Sequence, residues 1–159
     1  MRIINTGGTF NKIYDPIRGQ LVVPRDNRAI EAILKRSVLE IPVEGVVYKD
    51  SLEMDEEDRK RVLESIQRAK ERSVIVVHGT DTMDRSAAFV ASTIKDKMVI
   101  FTGAMVPFSI DPIEATLNLS TAIAHARYFQ EGVFIAMQGL FAPYDRIYKD
   151  RQRGIFYLK

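Results

Sequence analysis

Val74-Ile75-Val76-Val77-His78-Gly79-Thr80-Asp81-Thr82-Met83 is the stretch that decides how this chain folds. Four consecutive apolar residues predict a strand buried on both faces, as in a parallel sheet, because a half-exposed strand would alternate. The run breaks at a glycine, threonines and an aspartate, and Thr82–Ile94 then carries a helical pattern. A strand that feeds a helix through a short polar turn is the repeating step of an α/β protein.

Working outward, the same step recurs. Further strands are predicted at Arg2–Asn5, Val43–Lys49, Met98–Phe101 and Val133–Met137, and further helices at Asn27–Leu39, Asp55–Arg72 and Ile113–Phe129. The second of these helices opens on Asp55, Glu56, Glu57 and Asp58 and closes on Arg68, Lys70 and Arg72, an order that complements the helix dipole. Pro112 suits the start of the last helix. The expected fold is α/β and three-layered, a mostly parallel sheet flanked by helices, over one domain spanning 1–159. One segment, Asp15–Arg25, fits no regular element. Its two prolines and a glycine suit either a lid or a surface hairpin, with Gln20–Val23 as a short strand.

Bulk properties exclude several classes. The 159 residues are 46% hydrophobic, enough for one sizeable core, and the formal net charge is only +2. Neither a nucleic-acid nor a membrane partner is expected from that balance, and the basic tail (Arg146, Lys149, Arg151, Arg153, Lys159) reads as a solvated or interface segment. There is no cysteine, so thiolate chemistry, disulfides and Cys-ligated zinc are out. The first apolar run is only Ile3 and Ile4, against the roughly 7–15 residues of a secretory core, and no run approaches the roughly 18 of a membrane span. A soluble, cytoplasmic protein is the expectation.

Chemistry collects after each strand: Thr6-Gly7-Gly8-Thr9, Asp50-Ser51-Leu52-Glu53-Met54, His78-Gly79-Thr80-Asp81, Thr102-Gly103-Ala104-Met105 and Gln138-Gly139. Ligands of parallel α/β sheets bind at the carboxyl ends of the strands. Any one such turn is ordinary, but all of them together favour a site. No phosphate-loop pattern is present. His78 and His125 lie on different elements without metal-ligand spacing, and His125 reads as a packing or surface residue. Ser51, His78 and Asp81 make a serine triad on paper, but the GxSxG elbow is missing. Threonine nucleophiles remain, Thr9 and Thr80 foremost, although each also suits helix capping or turn hydrogen bonding. On these residues alone the chain is either a hydrolase or a small-ligand binder.

Thr6-Gly7-Gly8-Thr9-Phe10 and His78-Gly79-Thr80-Asp81-Thr82-Met83 resemble the two signature segments of the L-asparaginases and glutaminase-asparaginases. Phe101–Pro107, Asp50–Met54 and Asp145–Lys149 resemble further segments of that family, in family order. The resemblance implies an asparaginase N-terminal-domain fold, flavodoxin-like in order, and an amidohydrolase that converts L-asparagine, or L-glutamine, without metal or cofactor. It implies Thr9 as nucleophile, Tyr14 as its loop partner, and Thr80, Asp81 and Lys149 as a proton relay. It further implies a substrate lined by Gly8, Ser51, Glu53, Gly79, Thr80, Asp81 and Ala104. Two departures stand out. The family's second, C-terminal domain is absent from these 159 residues, and Leu52 occupies a position that is often polar. The short-chain asparaginases fit best. A homo-oligomer, dimer or tetramer, is expected to shield the pocket, with apolar tail residues such as Phe141, Phe156 and Leu158 as contact surface unless that tail packs back on its own sheet. A non-catalytic binder of aspartate-like amino acids and a phosphate-binding α/β domain are the alternative functions.

Overall fold

A computed structural model describes residues 1–159. Ten strands and four α-helices follow the order β1 (Arg2–Gly7), β2 (Ile13–Asp15), β3 (Gln20–Val22), α1 (Arg28–Arg36), β4 (Val43–Lys49), α2 (Glu56–Arg68), β5 (Ser73–Val77), α3 (Met83–Thr93), β6 (Met98–Thr102), α4 (Pro112–Ala126), β7 (Gly132–Met137), β8 (Leu140–Pro143), β9 (Ile147–Asp150) and β10 (Ile155–Leu158). The main sheet runs β4-β1-β5-β6-β7-β8. Its first five strands pair in parallel, and β8 returns antiparallel at the edge.

The apolar runs are buried on both sides, with period two inside each strand. Ile4, Val74, Val76, Val99 and Phe101 pack into one cluster with α2 and α3. Their neighbours Ile3, Ile75, Val77, Met98 and Ile100 pack into the other with α1 and α4. Phe10 and Phe101 are fully buried on opposite sides, and burial of a side chain that size contributes roughly 1.5–3 kcal/mol.

Helix ends follow local chemistry. Asp55 caps α2 by accepting from the Asp58 N–H, and the Asp58 side chain accepts from the Asp55 N–H in return. Asp111 accepts from the Ile113 N–H, and Pro112 opens α4. The helices are shorter than the periodicity predicts at their C-termini. Beyond α1, Val38 sits at φ 53, and after α2 Ala69 turns extended.

Two segments resolve between their alternatives. Asp15–Arg25 contributes a hairpin, with Tyr14 opposite Leu21 and Asp15 opposite Gln20. The tail packs largely on its own protein. Leu140–Pro143 extends the main sheet, Phe141 stacks on Phe134 and His125, and Ile147 and Phe156 are buried in the α2/α3 cluster. Tyr148, Tyr157 and Leu158 stay exposed. Phe156 is thereby withdrawn from any contact surface between copies, whereas Tyr157 and Leu158 remain available for one. No helix is long and apolar enough to cross a membrane.

Candidate active site

From β1 the chain crosses to β4 on one side, and from β4 it returns to β5 on the other. That reversal splays the turns after β1 and β5 and makes a crevice at their carboxyl ends, where ligands of open α/β sheets bind. The two turns touch. A side chain on Gly8 would place its Cβ 2.5 Å from the Gly79 nitrogen and 2.6 Å from the Gly79 Cα. Gly8 also holds φ 70 and ψ −175, a conformation open essentially to glycine alone. On the other side of the same turn, a Cβ on Gly79 would lie 2.7 Å from Ser51 Oγ. Gly8, Gly79 and Ser51 are thus stacked through close backbone approach.

Behind this stack stands an ion-paired cluster. Lys149 Nζ, on β9, donates to Thr80 Oγ1 at 2.8 Å and to Asp81 Oδ1 at 2.8 Å. The Thr80 hydroxyl donates to the thioether of Met105 at 3.3 Å, a weak acceptor. Arg151 donates to the Asp81 carbonyl at 2.7 Å and fixes the β9–β10 turn over the same loop. Thr80, Asp81 and Lys149 line a cavity of about 530 Å³ floored by Met83, Ile135, Ile147 and Phe156.

The remaining predicted residues divide. Ser51 is buried at 1% exposure, and its hydroxyl has no hydrogen-bond partner. An orphaned buried hydroxyl costs free energy until something bonds to it, so it is poised for a ligand. Ala104 is buried in the α1/α4 cluster, and the backbone after it is held by Glu114, which accepts from the N–H groups of Met105 and Val106 at 3.0 Å each. Thr9 is half-buried at the head of a single 3-10 turn, Thr9–Asn11. Gly8 is buried and its N–H donates to the Lys49 carbonyl at 2.9 Å, so that group is not free for an oxyanion. Tyr14 stands on the hairpin, paired with Leu21, at 61% exposure. Glu53 is exposed at the end of the turn Ser51–Glu53, where it lines a groove of about 450 Å³ with Lys12, Asp50 and the hairpin.

His78 is structural. It is fully buried, and its Nδ1 donates to the Gly79 carbonyl at 2.8 Å, which leaves Nε2 unprotonated and without a partner. Burial pushes its pKa down to about 4. Ser51, His78 and Asp81 share no hydrogen bond, so the serine triad does not form.

The sequence reading missed the residues that brace the site. Asn5 accepts from the Gly7 N–H at 2.9 Å and from Asn11 Nδ2 at 2.9 Å, and its own amide donates to Asn27 and to the Asp26 carbonyl. Asn118 donates to the Gly103 carbonyl and accepts from the Gln138 N–H. Lys12 Nζ lies 2.6 Å from Asp50 Oδ2. Thr6 and Thr102, expected in turns, lie in β1 and at the end of β6, and their hydroxyls donate to the Val77 and Ala136 carbonyls of neighbouring strands. The available signal was an amide or hydroxyl ending an apolar strand, at Asn5 and Thr102.

Fold and site together define an α/β protein with a threonine-lysine-aspartate cluster at the switch point of a parallel sheet. The family model described as Asparaginase, N-terminal matches residues 1–152, and the chain belongs to the asparaginase family. A protein described as "Probable L-asparaginase periplasmic" from Haemophilus influenzae is 31% identical over 150 residues, 85% of this chain and 42% of that protein. The solved L-asparaginase of Thermococcus kodakarensis superposes with a TM-score of 0.82 at 22% identity, over 98% of this chain and 50% of the other. A Campylobacter jejuni structure titled as a probable cytoplasmic L-asparaginase gives a TM-score of 0.76 at 28% identity, over 93% of this chain and 47% of the other. The chain thus spans about half the length of the relatives it matches.

Proposed function

We propose that this chain hydrolyses the side-chain carboxamide of L-asparagine to L-aspartate and ammonia, with Thr9 as nucleophile. The observation that carries the reading is Lys149 Nζ, held 2.8 Å from both Thr80 Oγ1 and Asp81 Oδ1 beside a turn opened by glycines. Thr9 Oγ attacks the amide carbon. Its proton leaves through Tyr14 or through the Thr80–Lys149 relay, with Asp81 orienting the lysine. The C–N bond breaks, the nitrogen departs with that proton as ammonia, and water then cleaves the Thr9 ester to release aspartate. Ser51 binds the α-carboxylate through its unpartnered hydroxyl, and Asp81 also receives the α-amino group. Backbone N–H groups of the turns other than Gly8 stabilise the oxyanion, at roughly 10²–10³ in kcat per donor. The Tyr14 route needs the hairpin to swing inward from its exposed position, a lid motion.

The same site takes L-glutamine as its second substrate. A cytoplasmic setting follows the likeness to the Campylobacter jejuni protein, and cell fractionation tests it. A homodimer or homotetramer remains the proposed assembly, now supported by Ile110, Ile113 and Leu117, exposed at the start of α4 rather than on the tail. Light scattering at micromolar concentration reads the assembly, and a fully active monomer contradicts it. The exposed Tyr14 favours one second reading, a binder of aspartate-like amino acids without turnover. Ammonia release from L-asparagine, L-glutamine and simple amides separates the two. Release from asparagine supports hydrolysis, whereas aspartate binding without release supports the binder.

A further inference from the structure

Two short turns carry the chemistry of the proposed site, and one ion pair joins them. The first, Thr9–Asn11, bears the nucleophile and ends on Lys12, whose backbone N–H donates to the Thr9 carbonyl. The second, Ser51–Glu53, bears the orphaned Ser51 hydroxyl and starts on Asp50, whose Oδ1 accepts from the Leu52 N–H at 3.1 Å. Lys12 Nζ meets Asp50 Oδ2 at 2.6 Å, so the end cap of one turn is tied to the start cap of the other. The Lys12 carbonyl also accepts from Ser109 Oγ at 2.7 Å, which fixes its backbone against the loop before α4. Both partners are about three-quarters buried, so water screens the pair weakly.

We infer that Lys12 is a positioning residue for the proposed reaction: it holds the Thr9 turn on the Ser51 turn and satisfies Asp50, so that Lys149 stays on Thr80 and Asp81. The inference rests on the hydrolytic reading above. Its second half follows from the charges around Asp50. Lys149 acts on Asp50 electrostatically, as does Lys12. If Lys12 loses its charge, Asp50 becomes an unpaired carboxylate within the electrostatic reach of Lys149. The other charged and titratable groups that face Asp50 are Arg18 from the hairpin, Tyr48 and Lys49 from β4, Glu53 from its own turn, and neutral His78 from the end of β5. Burial raises the Asp50 pKa, while Lys12, the Leu52 N–H and Lys149 lower it, and the net displacement is downward. Loss of Lys12 therefore raises it.

The test compares wild type, Lys12→Met, Lys12→Arg, Asp50→Asn and the Lys12→Met/Asp50→Asn double variant. The pH dependence of kcat/KM for L-asparagine and the carbon-13 titration of the Asp50 carboxyl are both read. Lys12→Met is expected to lose up to about 100-fold in kcat/KM, the scale of a small misplacement of reacting groups. Its Asp50 titration shifts upward. Lys12→Arg restores most of the activity, and the double variant loses less than the two single losses multiplied. Unchanged kcat/KM in Lys12→Met, an Asp50 titration that does not move upward, or no rescue by arginine overturns the inference. If Lys12→Met does not fold, Asp50→Asn decides, because its side-chain oxygen still caps Leu52: wild-type activity overturns the inference, and a comparable loss supports it. If wild type releases no ammonia, the hydrolytic reading fails separately. The ion pair is then judged by amide exchange, which must quicken at position 12 and at Leu52 in Lys12→Met, and unchanged exchange overturns it.

Discussion

Two halves of the site are built on different supports. The Thr80-Asp81-Lys149 half rises from β5 and β9, rests on a buried apolar floor and has its hydrogen bonds in place. The Thr9-Tyr14 half sits on one 3-10 turn and a two-stranded hairpin whose Tyr14, Ile17 and Leu21 face solvent. An isolated two-stranded hairpin is marginal on its own, whereas a strand in a packed sheet is not. The difference teaches that the Thr80-Asp81-Lys149 group is preorganised, whereas the proposed Tyr14 route requires the hairpin to move. On the proposed reading, closure of the hairpin requires a substrate that binds the closed form more tightly, because a ligand shifts a conformational equilibrium only by its differential affinity.

The sharpest way to break that comparison is to remove one hydroxyl from each half. Thr9→Ala and Thr80→Val are each expected to cut ammonia release by about 10³-fold or more, the range seen when one member of a coupled catalytic set is removed. Their thermal unfolding should stay near wild type, since both residues lie in turns. Near-wild-type turnover in either variant removes its assigned role. Next in size is Tyr14→Phe. It deletes only a solvent-facing hydroxyl, so it should leave stability untouched and still slow kcat by about 100-fold, the low end for a proton-transfer group. An unchanged kcat would mean that the hairpin is packing and not a lid.

A third substitution tests the joint between the halves. Gly8→Ala puts a Cβ into the Gly79 backbone and an alanine into a glycine-only conformation. A loss of about 1–3 kcal/mol is expected in denaturant unfolding, together with lower activity. A neutral result would contradict the stacking of the two turns.

The smallest effect concerns His78 and acid. Its folded pKa of about 4 lies below the ordinary 6.5. Between those values the unfolded chain binds a proton that the folded chain does not, so stability falls as pH falls, by about 1.4 kcal/mol per pH unit inside that window. Above pH 6.5 this contribution is complete. His78→Gln should flatten that part of the stability profile, and an unchanged slope would show that other groups carry it.

Much of this architecture was legible because burial on both faces leaves a plain mark. Val74–Val77 and Met98–Phe101 are uninterrupted apolar runs, and nothing but a central parallel strand explains them. Glycine at Gly8 and Gly79 likewise reads as close backbone approach. What escaped reading depends on contacts between distant parts of the chain. Lys12 and Asp50 are 38 residues apart, and neither is unusual alone. The Asn5–Asn11–Asn27 network hides because asparagine in sequence looks like a turn former, and only the fold makes it a brace. The tail was ambiguous for a simpler reason. Phe141 and Phe156 are apolar whether they meet this sheet or another copy, and pattern alone does not choose. Tyr14, expected on a loop, lies in β2 opposite Leu21, and the pairing of that hairpin is not encoded by the local sequence.

The central claim is that a covalent bond forms at Thr9 during turnover. Acid-quenched turnover of L-asparagine, followed by peptide mass mapping, tests it most directly. The account predicts an aspartyl group on the peptide that contains Thr9 in wild type, and its absence from Thr9→Ala. Ammonia released with no adduct on that peptide, or an adduct on any other hydroxyl, would contradict it.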